Sequence, residues 1–79
     1  MANRSLRPVE QVESERYSVT FVPAAVQAVQ ELTEISGLSK SDVINRSVQI
    51  YAFLAQEMAH GRQLMLRNED GSLERVHIV

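Results

Sequence analysis

Cysteine and tryptophan are absent, and two phenylalanines and two tyrosines are the whole aromatic complement of 79 residues. Without cysteine there is no disulfide and no thiolate metal site. His60 and His77 are the only histidines and make a poor metal set, so neither a metal nor another cofactor is expected. No run of about 18 apolar residues occurs, which argues against a membrane-spanning helix and a membrane partner. The opening "MANRSLRPVEQVESE" has no apolar core of signal-peptide type, and a cytoplasmic protein is expected. No nucleophile–base pair or convergent carboxylate set is visible, so an enzyme is not expected; Glu10, Glu13 and Glu15 read as a solvated charge run.

Positive charge is also in short supply. Eight Lys and Arg face ten Asp and Glu, giving a net charge of −2, with an isoelectric point near 5.6. That balance counts mildly against nucleic acid, whose affinity for proteins comes largely from cations that neutralise phosphates. The sign of the surface that docks matters more than the average.

What is present is enough apolar content, 44%, for a core that a chain of this length cannot complete alone. A domain this small buries only about 60–65% of its unfolded surface. With disulfides and metals excluded, association with another chain is the remaining support.

Three segments are expected. Residues 1–14 are polar, contain Pro8, and read as a flexible arm carrying Arg4 and Arg7. Residues 15–61 form the main domain, and residues 62–79 a C-terminal β-hairpin. In "ERYSVTFVP", residues 15–23, polar Arg16, Ser18 and Thr20 alternate with apolar Tyr17, Val19 and Phe21, the period of a half-buried strand. Pro23 suits the first turn of a helix, and Val22, Ala25, Val26, Val29, Leu32 and Thr33 make one helical stripe up to Ser36. Gly37 ends it. Ser39 is the N-cap of a second helix, with Asp42 in its first turn. Its stripe is Ile44, Ser47, Val48, Tyr51, Leu54, Ala55 and Met58, widened by Val43, Ile50 and Phe53, and Gly61 closes it. The period then changes from helix to strand. Leu64 and Leu66 share one face, Val76 and Ile78 another, and "NEDGS" supplies turn chemistry with Gly71. The hairpin needs something to pack on, and Phe53 and Ile50 are the candidates.

A lone strand leaves its backbone groups unpaired. The hairpin is one source of a partner for the strand, residues 16–21; the simplest is a second copy of the same segment, antiparallel across a two-fold axis. The expected dimer core is then Tyr17, Val19, Phe21, Val29, Leu32, Ile44, Val48, Tyr51 and Leu54.

The combination of "RYSVTFVP", about fourteen helical residues and "GLSKSDVINRSVQIY" resembles the ribbon-helix-helix family of Arc, MetJ and CopG type, over roughly residues 16–55. The resemblance implies a mainly α fold with short β: an intertwined β-α-α homodimer, here with an added C-terminal hairpin. It implies a transcriptional repressor that inserts an antiparallel β-ribbon into the major groove of double-stranded DNA. Arg16, Ser18 and Thr20 would face the bases, and Ser39, Lys40 and Ser41 would hold phosphate at the second helix's N-terminus. Arg46 either reaches the same DNA backbone or is solvated. Tandem dimers on DNA, or a protein partner at the hairpin, remain open. The alternative is the same dimer used as a protein-interaction module or antitoxin-like partner with weak or no DNA binding.

Overall fold

The computed structural model describes residues 13–78. It divides into two units, Met1–Gln49 and Ile50–Val79. The element order is helix α1 (Pro23–Ser36), helix α2 (Lys40–Ala59), strand β1 (Leu64–Arg67) and strand β2 (Leu73–Val76).

Local chemistry sets the helix ends. Pro23 opens α1, where its missing N–H costs no hydrogen bond, and Val22 ahead of it is extended (φ −67°, ψ 157°). The carbonyl of Val22 accepts the first bonds, from the N–H groups of Ala25 (2.9 Å) and Val26 (3.1 Å). Gly37 takes a left-handed conformation (φ 72°) and donates its N–H to Thr33 O at 2.9 Å, the αL type of helix end. Two residues on, Ser39 Oγ accepts the Asp42 N–H at 3.1 Å, which caps α2 as its position foretells.

In the first unit the half-buried residues of α1 are Ala25, Val29 and Thr33, one line at a spacing of four. Among the described residues only Val43, in the first turns of α2, is buried, at 3% exposure. Leu38 and Ile44 beside it are half-buried.

In the second unit, α2 ends in a Schellman arrangement. Gly61 (φ 87°) donates to Met58 O at 3.0 Å and Arg62 N–H to Glu57 O at 3.1 Å. The hairpin that follows pairs Leu64 with Val76, Met65 with Arg75, Leu66 with Glu74 and Arg67 with Leu73. Leu64 and Val76, directly opposite each other, are its half-buried pair. Leu64 also lines a small depression with Phe53, Leu54 and Met58 of α2, while Ile50 stays exposed.

The connection is a three-residue loop with a bulge. Gly71 N–H bonds Asn68 O at 2.9 Å, Asn68 N–H bonds Ser72 O at 2.8 Å, and Gly71 sits at φ 89°. Asp70 Oδ1 accepts both the Ser72 N–H (2.9 Å) and the Ser72 hydroxyl (2.6 Å). The hydroxyl and then the amide of Ser72 hold the Asp70 carboxyl below the usual aspartate value. Since the folded carboxyl is the stronger acid, its contribution is present above the unfolded aspartate pKa and is lost as pH falls through the depressed folded value. We expect amide-exchange protection of Ser72 to decline over that acidic window. Asp70→Asn should remove the pH dependence; an unchanged profile would rule out the carboxylate as its source.

Two expectations are corrected here. The β-α-α order of a ribbon-helix-helix chain does not hold: among the described residues the order is α-α-β-β, with no strand ahead of α1. The intertwined ribbon falls with it, because the one sheet among these residues is the hairpin itself. The physical reason is that alternation is a property of side chains, whereas a strand is defined by backbone bonds to a neighbour. Residues 13–21 have the first and lack the second. Of the N-terminal arm expected over 1–14, residues 1–12, with Arg4 and Arg7, lie outside the described residues.

Candidate functional site

The first unit holds an open cleft of about 680 Å³ between residues 13–21 and α2. Glu13, Glu15, Tyr17, Val19 and Phe21 line one side, and Ile44, Asn45, Val48 and Gln49 the other. Every odd-numbered residue from 13 to 21 faces the cleft, and Arg16, Ser18 and Thr20 do not. The period-2 pattern of the sequence is therefore real in three dimensions, although no ladder forms on it.

Phe21 joins this cleft to a second hollow of about 230 Å³ between the two helices, lined with Ala25, Ala28, Val29, Leu32, Ile44, Ser47 and Val48. Ser47 is tied down by its own helix, its hydroxyl donating to Val43 O at 2.7 Å. The walls are mostly apolar and mostly wet: Tyr17 is 79% exposed and Val48 65%.

At the acidic end of the cleft the Tyr17 hydroxyl donates to Glu15 Oε2 at 2.7 Å. That bond favours the neutral phenol, and it raises the Tyr17 pKa above the ordinary tyrosine value. Among the described residues no lysine or arginine lines this cleft.

The residues assigned to a dimer core are spread along the chain. Tyr17, Val19, Phe21, Leu32, Val48 and Tyr51 are exposed, and Val29, Ile44 and Leu54 are half-buried. Tyr51 and Leu54 belong to the second unit. Arg16, Ser18 and Thr20 are exposed. Ser39 Oγ is committed to its cap, and Ser41 O accepts Asn45 Nδ2 at 2.8 Å. Lys40 and Arg46 are exposed and make no ion pair among the described residues. Lys40 instead borders a small hollow with Phe21, Val29 and Ile44. Asn45 and Gln49 were not singled out in the sequence, and Glu13 was read only as part of a solvated charge run; its parity with Glu15 and Tyr17 is the one signal that could have placed it in the cleft.

Among the described residues there is no group of three or more His, Asp or Glu able to hold a metal ion, and no helix is long and apolar enough to cross a membrane. The chain matches no protein-family model, no curated protein and no solved structure.

These findings overturn the functional expectation. Reading DNA through Arg16, Ser18 and Thr20 requires the two-chain ribbon, which the topology lacks and no relative supports. The DNA-binding repressor and its ribbon-helix-helix alternatives, the interaction dimer and the antitoxin-like partner, therefore do not hold. The partners tied to that fold fall for the same reason: duplex DNA, a symmetric second copy, tandem dimers, and a protein added to the hairpin of such a dimer.

Proposed function

We propose that the first unit is a non-catalytic binding module that takes a segment of another polypeptide into the cleft between residues 13–21 and α2. The observation that carries this reading is the mismatch between apolar surface and core. Among the described residues Val43 alone is buried, while Tyr17, Val19, Phe21, Val26, Leu32 and Val48 remain exposed. Fully burying one such side chain stabilises by roughly 1.5–3 kcal/mol, whereas ordering each residue's backbone costs about 1–2 kcal/mol. A partner that dries the cleft supplies burial that the unit lacks. A contiguous apolar surface with a polar edge is also the usual character of a protein-binding patch. Cytoplasmic residence is part of the same proposal and is checked by fractionation.

The test is selection of ligands from a random displayed peptide library on the full chain, followed by anisotropy titration. Val48 lies in the cleft and is 65% exposed; Ile35, 82% exposed, lines none of the hollows described above. Val48→Asn should weaken the selected peptide about tenfold, the effect of losing one apolar contact worth about 1.4 kcal/mol. Ile35→Asn should leave it unchanged, with both variants keeping the parent's helical circular dichroism. If selection yields nothing, or the two variants bind alike, the cleft is not the binding site.

A further inference from the structure

The cleft has a second property that its apolar walls do not explain. Among the described residues, no backbone N–H or C=O of residues 13–21 takes part in a hydrogen bond within the chain; the first such group is the carbonyl of Val22, already engaged by α1. A segment whose side chains alternate between cleft and solvent, and whose backbone groups are all unused, has the properties of a sheet edge. Resting on the polypeptide-binding reading above, we propose that residues 15–21 accept an extended segment of a different protein by strand addition.

The chemistry of that segment follows from the cleft. Opposite Tyr17, Val19 and Phe21 it places apolar side chains, with Ile44 and Val48 as the floor. Next to Glu13 and Glu15 it places lysine or arginine, since both carboxylates face the cleft and, among the described residues, no cation lines it. The Tyr17–Glu15 bond leaves the carboxylate's other oxygen to accept from a cation. This charge pattern argues against a second copy as the occupant: the chain's own residues 13–21 carry two carboxylates and one arginine, and Arg16 points away from the cleft side. Backbone pairing supplies affinity, and the sign of the charge supplies selectivity.

The probe is a short synthetic peptide with an alternating valine–threonine centre and lysines at both ends, so that either strand direction brings a lysine to Glu13 and Glu15. Anisotropy titration on the full chain should show saturable binding. The same peptide ending in glutamates should bind at least about tenfold more weakly, a factor worth about 1.4 kcal/mol. A version with every central amide N-methylated should not bind. The double substitution Glu13→Gln with Glu15→Gln should erase the preference for lysine. Equal binding by the N-methylated peptide, or no preference for lysine, overturns the proposal. So does residues 15–21 pairing with a second copy in solution. If the lysine peptide fails while library selection still yields a ligand sensitive to Val48→Asn, strand addition falls and polypeptide binding stands.

Discussion

Val43→Asp is expected to abolish the cooperative unfolding transition of the first unit. Val43 is the one buried side chain among the described residues, 3% exposed, and a carboxylate there would be desolvated. Leaving a buried polar group unpaired costs about 1–3 kcal/mol, and more when it is charged. Among the described residues the unit has no second buried side chain to absorb such a loss. Val43→Ala gives a graded version of the test. It removes two methyl groups, worth about 1.6 kcal/mol at about 0.8 kcal/mol each, and recovers up to about 0.7 kcal/mol because alanine is the better helix former. The net loss should be near 1 kcal/mol. Ile35→Lys, at the exposed end of α1, should change stability by no more than about 0.5 kcal/mol. Urea unfolding followed by circular dichroism measures all three. If Val43→Asp unfolds at the parent's midpoint, Val43 is not the residue around which the unit closes.

The second large effect is expected at Gly61, within the other unit. Its φ of 87° lies in the left-handed region, and an added Cβ would meet nothing within 4 Å. The penalty of a side chain is therefore torsional rather than steric crowding by neighbours, about 1–2 kcal/mol for an ordinary residue. Gly61→Val should lie at the upper end, because a β-branched residue is least tolerant of positive φ. Gly61→Asn should cost clearly less, since asparagine visits this region. The two hydrogen bonds that end α2, Gly61 N–H to Met58 O and Arg62 N–H to Glu57 O, are lost with the geometry. The ion pair of the Arg62 guanidinium with Glu57, 3.2 Å long, is a weaker element: the arginine is 64% exposed, and such pairs contribute about 0–1 kcal/mol. Arg62→Ala should thus be milder than Gly61→Val. Equal costs for valine and asparagine at position 61 would show that the left-handed geometry is not what α2's end depends on.

The elements whose causes are local were legible from the residues alone. Pro23, Gly37, Ser39 and Gly61 each act within one helical turn through a fixed φ, a missing N–H or a side-chain oxygen, and each marks the helix end where the structure has it. The hairpin was legible for the same reason: the turn 68–72 is held by Asn68, Asp70, Gly71 and Ser72, all close in sequence. The cleft was legible in part. The parity of Tyr17, Val19 and Phe21 was clear, and the stripe of α2 identified Ile44 and Val48, but nothing in either segment showed that they face each other across open space.

The resemblance misled because it rests on the same local signals. An alternating hexad before two capped helices is compatible with a ribbon-helix-helix chain, and also with a chain in which that hexad is unpaired. Choosing between them requires knowing which backbone groups meet, and side-chain pattern carries no record of that.

What the amino-acid order determined by itself is where each helix begins and ends, how the hairpin turns, and which side chains of residues 15–21 share a face, because these depend on torsions and bonds a few residues apart. Only the tertiary structure decided that this face lines an open cleft, that the two carboxylates fall inside it, and that among the described residues no strand pairs along it. Those outcomes depend on contacts between segments far apart in the chain, where hydrogen-bond geometry rather than residue type makes the choice.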